Sequence, residues 1–339
     1  MFTVVDLRGI PDADDRGAAY GAAAAVEIGR TIEFYRWLLP AMLGRPWDAL
    51  RDDVGDLMAE AAVATPTAAA VLEGIGHGSG HAVADLSVVS CRSELMARAS
   101  IATAECTALR HPGGLAQTWD WFIAQRQACV IVRTDRMVTL TEAGMPAKIG
   151  CNADGLALTL NFLATTPAPT RPGVPVHLLI AELLEGAFSV GAALDRLDAT
   201  PFACSATIGL ADDDGRSAFV ELTPHARPAV LDDADGTAHT NHCLAPTLAG
   251  SDVAGPLLDN SRRRLRRATQ LLAEGVTVGD VLSDTAERAS SIDVAAQPDD
   301  GHPAALGTVA AVVIDTARRA IAVAPSRPSQ TGFVQDVAV

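Results

Sequence analysis

The chain predicts an α+β fold in which helices cover the outer faces of two sheets whose inner faces meet. Three observations predict it. The first hundred residues carry helical periodicity, the texture after Cys106 changes to short β-branched runs, and two helical stretches, residues 175–197 and 260–285, sit among those runs. Strand runs punctuated by helices bury their apolar faces best as stacked layers.

In the first part, Tyr20, Ile28, Ile32, Tyr35 and Leu38 fall on one helical face, and "WDALRDDVGDLMAEAAVA" and "PTAAAVLEGIG" continue the pattern, so this part reads as an all-helical layer. "GIGHGSG" at 74–80 has the look of a phosphate loop. It follows a helix rather than a strand and lacks the Lys-Ser/Thr pair, so it reads as a flexible turn. Downstream, "ACVIVRT", "RMVTLTE", "GLALTLNFL", "CSATIGLA" and "RSAFVELT" are separated by Asp, Gly and Pro, the pattern of antiparallel strands joined by turns. "GTVAAVVID" and "AIAVAP" form a final hairpin, and "RPSQTGFVQDVAV" reads as a tail. The one internal boundary is the change of texture near residue 105. Segments 1–105 and 106–339 are therefore expected to pack as one compact unit.

Of the 339 residues 49% are hydrophobic, enough for a sizeable core, and the formal charge is −15. That charge repels nucleic acid and anionic membrane surfaces, leaving a small molecule as the expected partner. The start "MFTVVDLRGIPDADDRG" lacks a basic region and an apolar stretch, and no run reaches the roughly 18–20 apolar residues of a membrane span, so a cytoplasmic protein is expected. Six cysteines, at 91, 106, 129, 151, 204 and 243, are scattered without C-x-x-C pairs, which argues against a zinc ribbon or a disulfide scaffold. Buried, inert thiols are expected at five of them.

Cys106, in "TAECTALRHPGG", differs through its surroundings. "DDRGAAYGAAAAVEIGRTIEFY", "VLEGIGHGSG", "CRSELMARA", "ECTALR", "QTWDW", "KIGCNADGLALTLNFL", "FVELTP", "HTNHC" and "GTVAAVVIDTARRAIAVAPSRP" occur in the order seen in the penicillin acyltransferase family. This is the autoproteolytic acyl-coenzyme A:6-aminopenicillanic acid acyltransferase group, which includes β-alanyl-dopamine hydrolase. The resemblance spans nearly the whole chain and implies a four-layer αββα N-terminal-nucleophile hydrolase sandwich with an N-terminal helical layer.

The resemblance further implies that the precursor cuts itself between Glu105 and Cys106, giving two chains that stay together. The new α-amine, with a pKa of about 7.7–8.0 against about 8.5 for a free thiol, can take the thiol proton without a histidine. Asp120 in "QTWDW" matches the carboxylate that holds the Cys106 amine and thiol in register. Asn241 in "HTNHC" matches the amide that donates to the oxyanion, and Asn152 resembles a second donor, although "NADG" is equally a turn sequence. In "NSRRRLRRA" the arginine after the serine, Arg262, is expected near the nucleophile with Arg264 as its neighbour, the remaining arginines forming a solvated face. Arg92 and Glu94 resemble a structural ion pair. Thr118, Trp119, Trp121, His239 and His242 are candidates for the substrate pocket, the two histidines as residues shaping the surroundings of Asn241. The two histidines lack the further ligands a metal needs, so no metal is expected. No cofactor is expected either, with acyl-coenzyme A admitted as a co-substrate.

Two departures bear on function. Glu105 stands where the family usually has Gly, which tolerates strained backbone at a scissile bond. Thr118 stands where Asn is frequent, and a short "RHPGGLA" link replaces a longer hairpin. The expectation is an N-terminal cysteine amidohydrolase or acyltransferase acting on a small amide through an acyl-cysteine, with hydrolysis slightly favoured over coenzyme-A-dependent synthesis. The alternative, kept open by Glu105, is an uncut, inactive relative that binds a small molecule or a partner. A homo-oligomer is left open.

Overall fold

The computed structural model describes residues 1–101, 106–232, 237–286, 291–296 and 304–339. A short strand, β1 (Thr3–Asp6), precedes helices α1 (Ala13–Ala23), α2 (Ala25–Leu43), α3 (Trp47–Asp53), α4 (Gly55–Ala64), α5 (Pro66–Ser79), α6 (Val83–Ser90) and α7 (Arg92–Arg98). Strands β2 (Thr107–His111), β3 (Gly114–Phe122), β4 (Cys129–Arg133), β5 (Met137–Glu142), β6 (Ile149–Asn152) and β7 (Ala157–Phe162) follow, then helices α8 (Val176–Gly186) and α9 (Val190–Asp198). Next come β8 (Ala206–Ala211), β9 (Ser217–Thr223), β10 (Ala226–Leu231), β11 (Ala238–His239), α10 (Pro256–Ala273) and α11 (Val278–Leu282). The chain closes with β12 (Leu306–Asp315), β13 (Ala320–Ala324), α12 (Pro328–Thr331) and β14 (Gln335–Ala338).

Among the described residues the strands form an eight-stranded sheet, β1-β4-β5-β6-β7-β8-β9-β10, and a six-stranded sheet, β11-β2-β3-β12-β13-β14. Helices α8 and α9 pack on the first, and α10 and α11 on the second. The two inner faces meet through β2 and β3 against β7 and β8, which gives the α/β/β/α layering expected. Strand β3 is buried along its whole length because it lies in the middle of the molecule. Gln117 on β3 ties the sheets across that interface. Its amide donates to Leu160 O at 2.5 Å and accepts from Leu160 N at 3.0 Å.

Local chemistry sets several element ends. Asp12 accepts from Asp15 N at the start of α1 and Ser189 from Ala192 N at the start of α9, each capping an otherwise unpaired amide. Three expectations need correction. The first segment is not all-helical, since the apolar, β-branched "TVVD" pairs in parallel with β4. "RPSQTGFVQDVAV" is not a tail, because α12 and then β14, paired with β13, are built from it. "GIGHGSG" is not a turn but mostly the C-terminal part of α5. Its glycines let α1 and α5 touch backbone to backbone, and a Cβ at Gly74 or Gly78 would run into the main chain at Asp14 or Ala18. Among the described residues no helix is long and apolar enough to cross a membrane.

Candidate active site

Cys106 is buried just ahead of β2. The β2–β3 ladder opens with Thr107 opposite Thr118, so Cys106 lies alongside Trp119, and its thiol points at Asp120 O, 3.9 Å away. A cavity of about 30 Å³ opens there, walled by Met96, Trp119, Trp121, Leu160 and Phe162 and edged by Arg92, Lys148 and His177. Burial, and then the charge of Asp120, push the Cys106 thiol up to about 11. The sulfur is thus protonated at neutral pH.

Asp120 is buried on β3, its Oδ1 accepting from Thr308 Oγ1 at 2.6 Å and its Oδ2 from Thr118 Oγ1 at 3.4 Å. Thr118 Oγ1 in turn accepts from Thr107 N at 3.1 Å, so the carboxylate reaches the main chain beside Cys106 through one hydroxyl. Thr118 is therefore a bridge under Cys106 rather than a pocket wall, its position on β3 alternating with those of Trp119 and Trp121. Trp121 donates to Tyr35 OH at 2.8 Å, whereas the Trp119 indole N–H is buried without a hydrogen-bond partner among the described residues.

The arginine beside Cys106 is Arg264, which corrects the expectation of Arg262. On α10 the buried positions are Ser261, Arg264, Ala268 and Leu271, one inward face at helical spacing, and Arg262 is turned about 100° from Ser261 into solvent. Arg264 Nη1 donates to Cys106 O at 2.6 Å and to Thr107 Oγ1 at 2.9 Å, and Nη2 donates to Asn241 Oδ1 at 2.9 Å. Held by that bond, the Asn241 amide donates to Phe162 O at 3.0 Å, next to the cavity. An amide nitrogen has two hydrogens, so this leaves one for a ligand.

Asn152 is not a second donor here. It sits at the end of β6 away from Lys148, where its Oδ1 accepts from Asp154 N and Leu156 N and its Nδ2 donates to Ala187 O at 2.6 Å, so the turn reading of "NADG" prevails. His239 and His242 are not pocket walls either. His239 places Nε2 2.8 Å from Glu221 Oε1 and Nδ1 2.8 Å from Thr240 O, and His242 Nδ1 lies 2.8 Å from Ser261 Oγ, in the support beneath Asn241. Burial lowers His242 to about 4. Arg92 pairs with Glu142 at 2.6 Å rather than with Glu94, because residues two apart on a helix point to opposite sides. Glu94 instead accepts from Val176 N and the Cys204 thiol. Glu105 lies outside the described residues.

The sequence reading missed Lys148, Glu142, Tyr35, His177 and Thr308. Lys148 carried a signal that was there to be read: it is the only lysine in the chain, the other 25 of the 26 lysines and arginines being arginine. It is buried, its ammonium nitrogen is 4.0 Å from the centroid of the Trp119 ring, and among the described residues it has no ion pair or side-chain hydrogen bond. Burial, and then the nearby Arg92, bring it down to about 7. His177, also at this cavity, has both ring nitrogens engaged. Its Nδ1 donates to Ser90 O at 3.2 Å and its Nε2 accepts from Arg92 at 3.0 Å.

The model of the acyl-coenzyme A:6-aminopenicillanic acid acyl-transferase family matches residues 110–330, starting just downstream of Cys106. The 40 kDa form of acyl-coenzyme A:6-aminopenicillanic-acid-acyltransferase from Emericella nidulans is 26% identical over 276 residues, covering 77% of this chain and 75% of that protein. Among solved structures, an N-acylethanolamine-hydrolyzing acid amidase ortholog from Caenorhabditis elegans is similar at 14% identity and a TM-score of 0.43, covering 70% of this chain and 100% of the other. A mutant of the conjugated bile acid hydrolase from Clostridium perfringens is similar at 11% identity and a TM-score of 0.44, covering 66% and 89%.

Proposed function

Because the chain belongs to the acyl-coenzyme A:6-aminopenicillanic acid acyl-transferase family, we propose that it moves the acyl group of a small amide through a thioester on Cys106, having first cut itself between Glu105 and Cys106. The observation that carries this reading is the single guanidinium of Arg264, which holds both the Cys106 carbonyl and the Asn241 side chain. A nucleophile and an oxyanion donor have to be fixed relative to each other before the reaction, since reorganisation during it costs rate.

The steps follow from the groups present. Once the chain is cut, the Cys106 α-amine takes the thiol proton, and the thiolate attacks the amide carbon. The developing oxyanion accepts from Asn241 Nδ2, and the amine product leaves with the proton. Water or a second amine then attacks the thioester, giving hydrolysis or transfer. The buried Asp120, tied to the Thr107 amide through Thr118, favours the ammonium form of the α-amine as it takes the proton. In the uncut chain the protonated thiol and the small cavity make a dormant form.

Trapping the acyl-enzyme tests the reading. Purified protein is mixed with a panel of N-acyl amines and acyl-coenzyme A donors, quenched and analysed by peptide mass. An acyl adduct on Cys106 from at least one donor is expected, and turnover that survives in Cys106→Ala contradicts it.

A further inference from the structure

Self-cleavage raises a problem that the mature enzyme does not have. Before the cut the Cys106 nitrogen is an amide, which accepts no proton, so the α-amine that later serves as base does not yet exist. Of the titratable side chains at or beside the cavity, Arg92 and Arg264 stay charged, His177 has both nitrogens engaged, and the Asp120 and Glu142 carboxylates are held by Thr308 and by Tyr35 and Arg92. Of these titratable groups Lys148 alone has a side chain with no ion pair or hydrogen bond among the described residues.

We propose that Lys148 is the proton acceptor for the Cys106 thiol in the uncut chain, a catalytic residue used once in the life of each molecule. The proposal rests on the reading that the chain cuts itself at Cys106. The cavity that the two side chains share has room for one water, enough to relay a proton where direct contact falls short. The groups that set the behaviour of Lys148 are Arg92 on α7, Glu142 on β5, His177 on α8 and the thiols of Cys106 and Cys129. Held near 7, the amine is free to accept a proton at neutral pH, which a solvated lysine is not. An arginine cannot take this part, because its guanidinium does not give up its proton. A chain that otherwise uses arginine for every positive charge keeps its one lysine at the cysteine.

The step balances. The Sγ–H bond breaks and an Nζ–H bond forms, and the thiolate attacks the Glu105 carbonyl carbon. The Cys106 nitrogen takes the proton from Nζ as the peptide C–N bond breaks, which returns the lysine to its neutral amine and leaves a thioester. Water cleaves the thioester to the Glu105 carboxylate and the free thiol.

The test follows the appearance of the new N-terminus in freshly refolded full-length chain, by mass, at pH 6–9. Lys148→Met and Lys148→Arg are each expected to slow cleavage at least 100-fold, and added methylamine is expected to restore it in Lys148→Ala. Wild-type rates in Lys148→Met overturn the proposal. So does full activity in Lys148→Arg, which would mean that only the positive charge matters. If the wild-type chain does not cleave at all, the self-cleavage reading fails on its own. Alkylation of Cys106 by iodoacetamide in the uncut chain then decides: a lower rate at pH 8 in Lys148→Met than in wild type supports proton sharing, and equal rates overturn it.

Discussion

Arg264 and Asn241 are joined by a hydrogen bond of 2.9 Å, and the same guanidinium donates to the Cys106 carbonyl at 2.6 Å. The geometry needs a planar fork with several donors. A lysine offers a point charge that can reach one partner at a time. Arg264→Lys is therefore expected to lower kcat at least 10-fold, because the Asn241 amide is no longer held toward the cavity. Arg262→Ala, a change on the solvent side of the same helix, is expected to leave kcat within about 2-fold. Steady-state kinetics on any accepted amide checks both, and the reverse order of effects contradicts the placement of Arg264.

Asn152 predicts the opposite pattern, with stability lost and chemistry kept. Its side chain accepts from the part-buried Asp154 amide and the buried Leu156 amide in the turn after β6 and donates to the buried Ala187 carbonyl at the end of α8. Truncating it leaves those groups unpaired, at a cost of about 2–3 kcal/mol. Urea unfolding of Asn152→Ala should show that loss while kcat of the folded enzyme is unchanged. A fall in kcat with stability intact would return Asn152 to the oxyanion site.

Lys148 should weaken the fold in a pH-dependent way. Its amine lies near 7 when folded and at about 10.4 when unfolded, so unfolding takes up a proton between those values and stability rises with pH across that window. The penalty is complete below pH 7, where it is at most about 5 kcal/mol, and is gone above about 10.5. In the uncut Cys106→Ala background, Lys148→Met is therefore expected to be more stable than its parent at pH 6, with the advantage shrinking toward pH 10. Denaturant unfolding at pH 6, 8 and 10 checks this, and a difference that does not change with pH contradicts it.

What the sequence disclosed and what it hid divide along physical lines. Periodicity and β-branched runs revealed the layers, because side chains that face a core must repeat with the geometry of their element. The short strands β1 and β14 were missed because four residues leave little periodicity, and what makes them strands is a partner far away in the chain. Cys106, Asp120 and Asn241 stood out through the motifs around them. Arg264 could not be separated from Arg262 without the phase of α10, which the arginine-rich run "SRRRLRR" conceals. Thr308 comes from β12, paired with β3 in the same sheet, and Lys148 from the turn before β6 in the other sheet, so their closeness to Cys106 is set by strand pairing far along the chain in one case and by the two sheets meeting in the other.

The central claim is that Cys106 becomes a chain terminus and the nucleophile, and the intact mass of the purified protein tests it most directly. The account predicts two chains, one ending at Glu105 and one beginning at Cys106, and a single uncut chain for Cys106→Ala. One unbroken wild-type chain, or a Cys106→Ala protein that still cleaves at this bond, would contradict it.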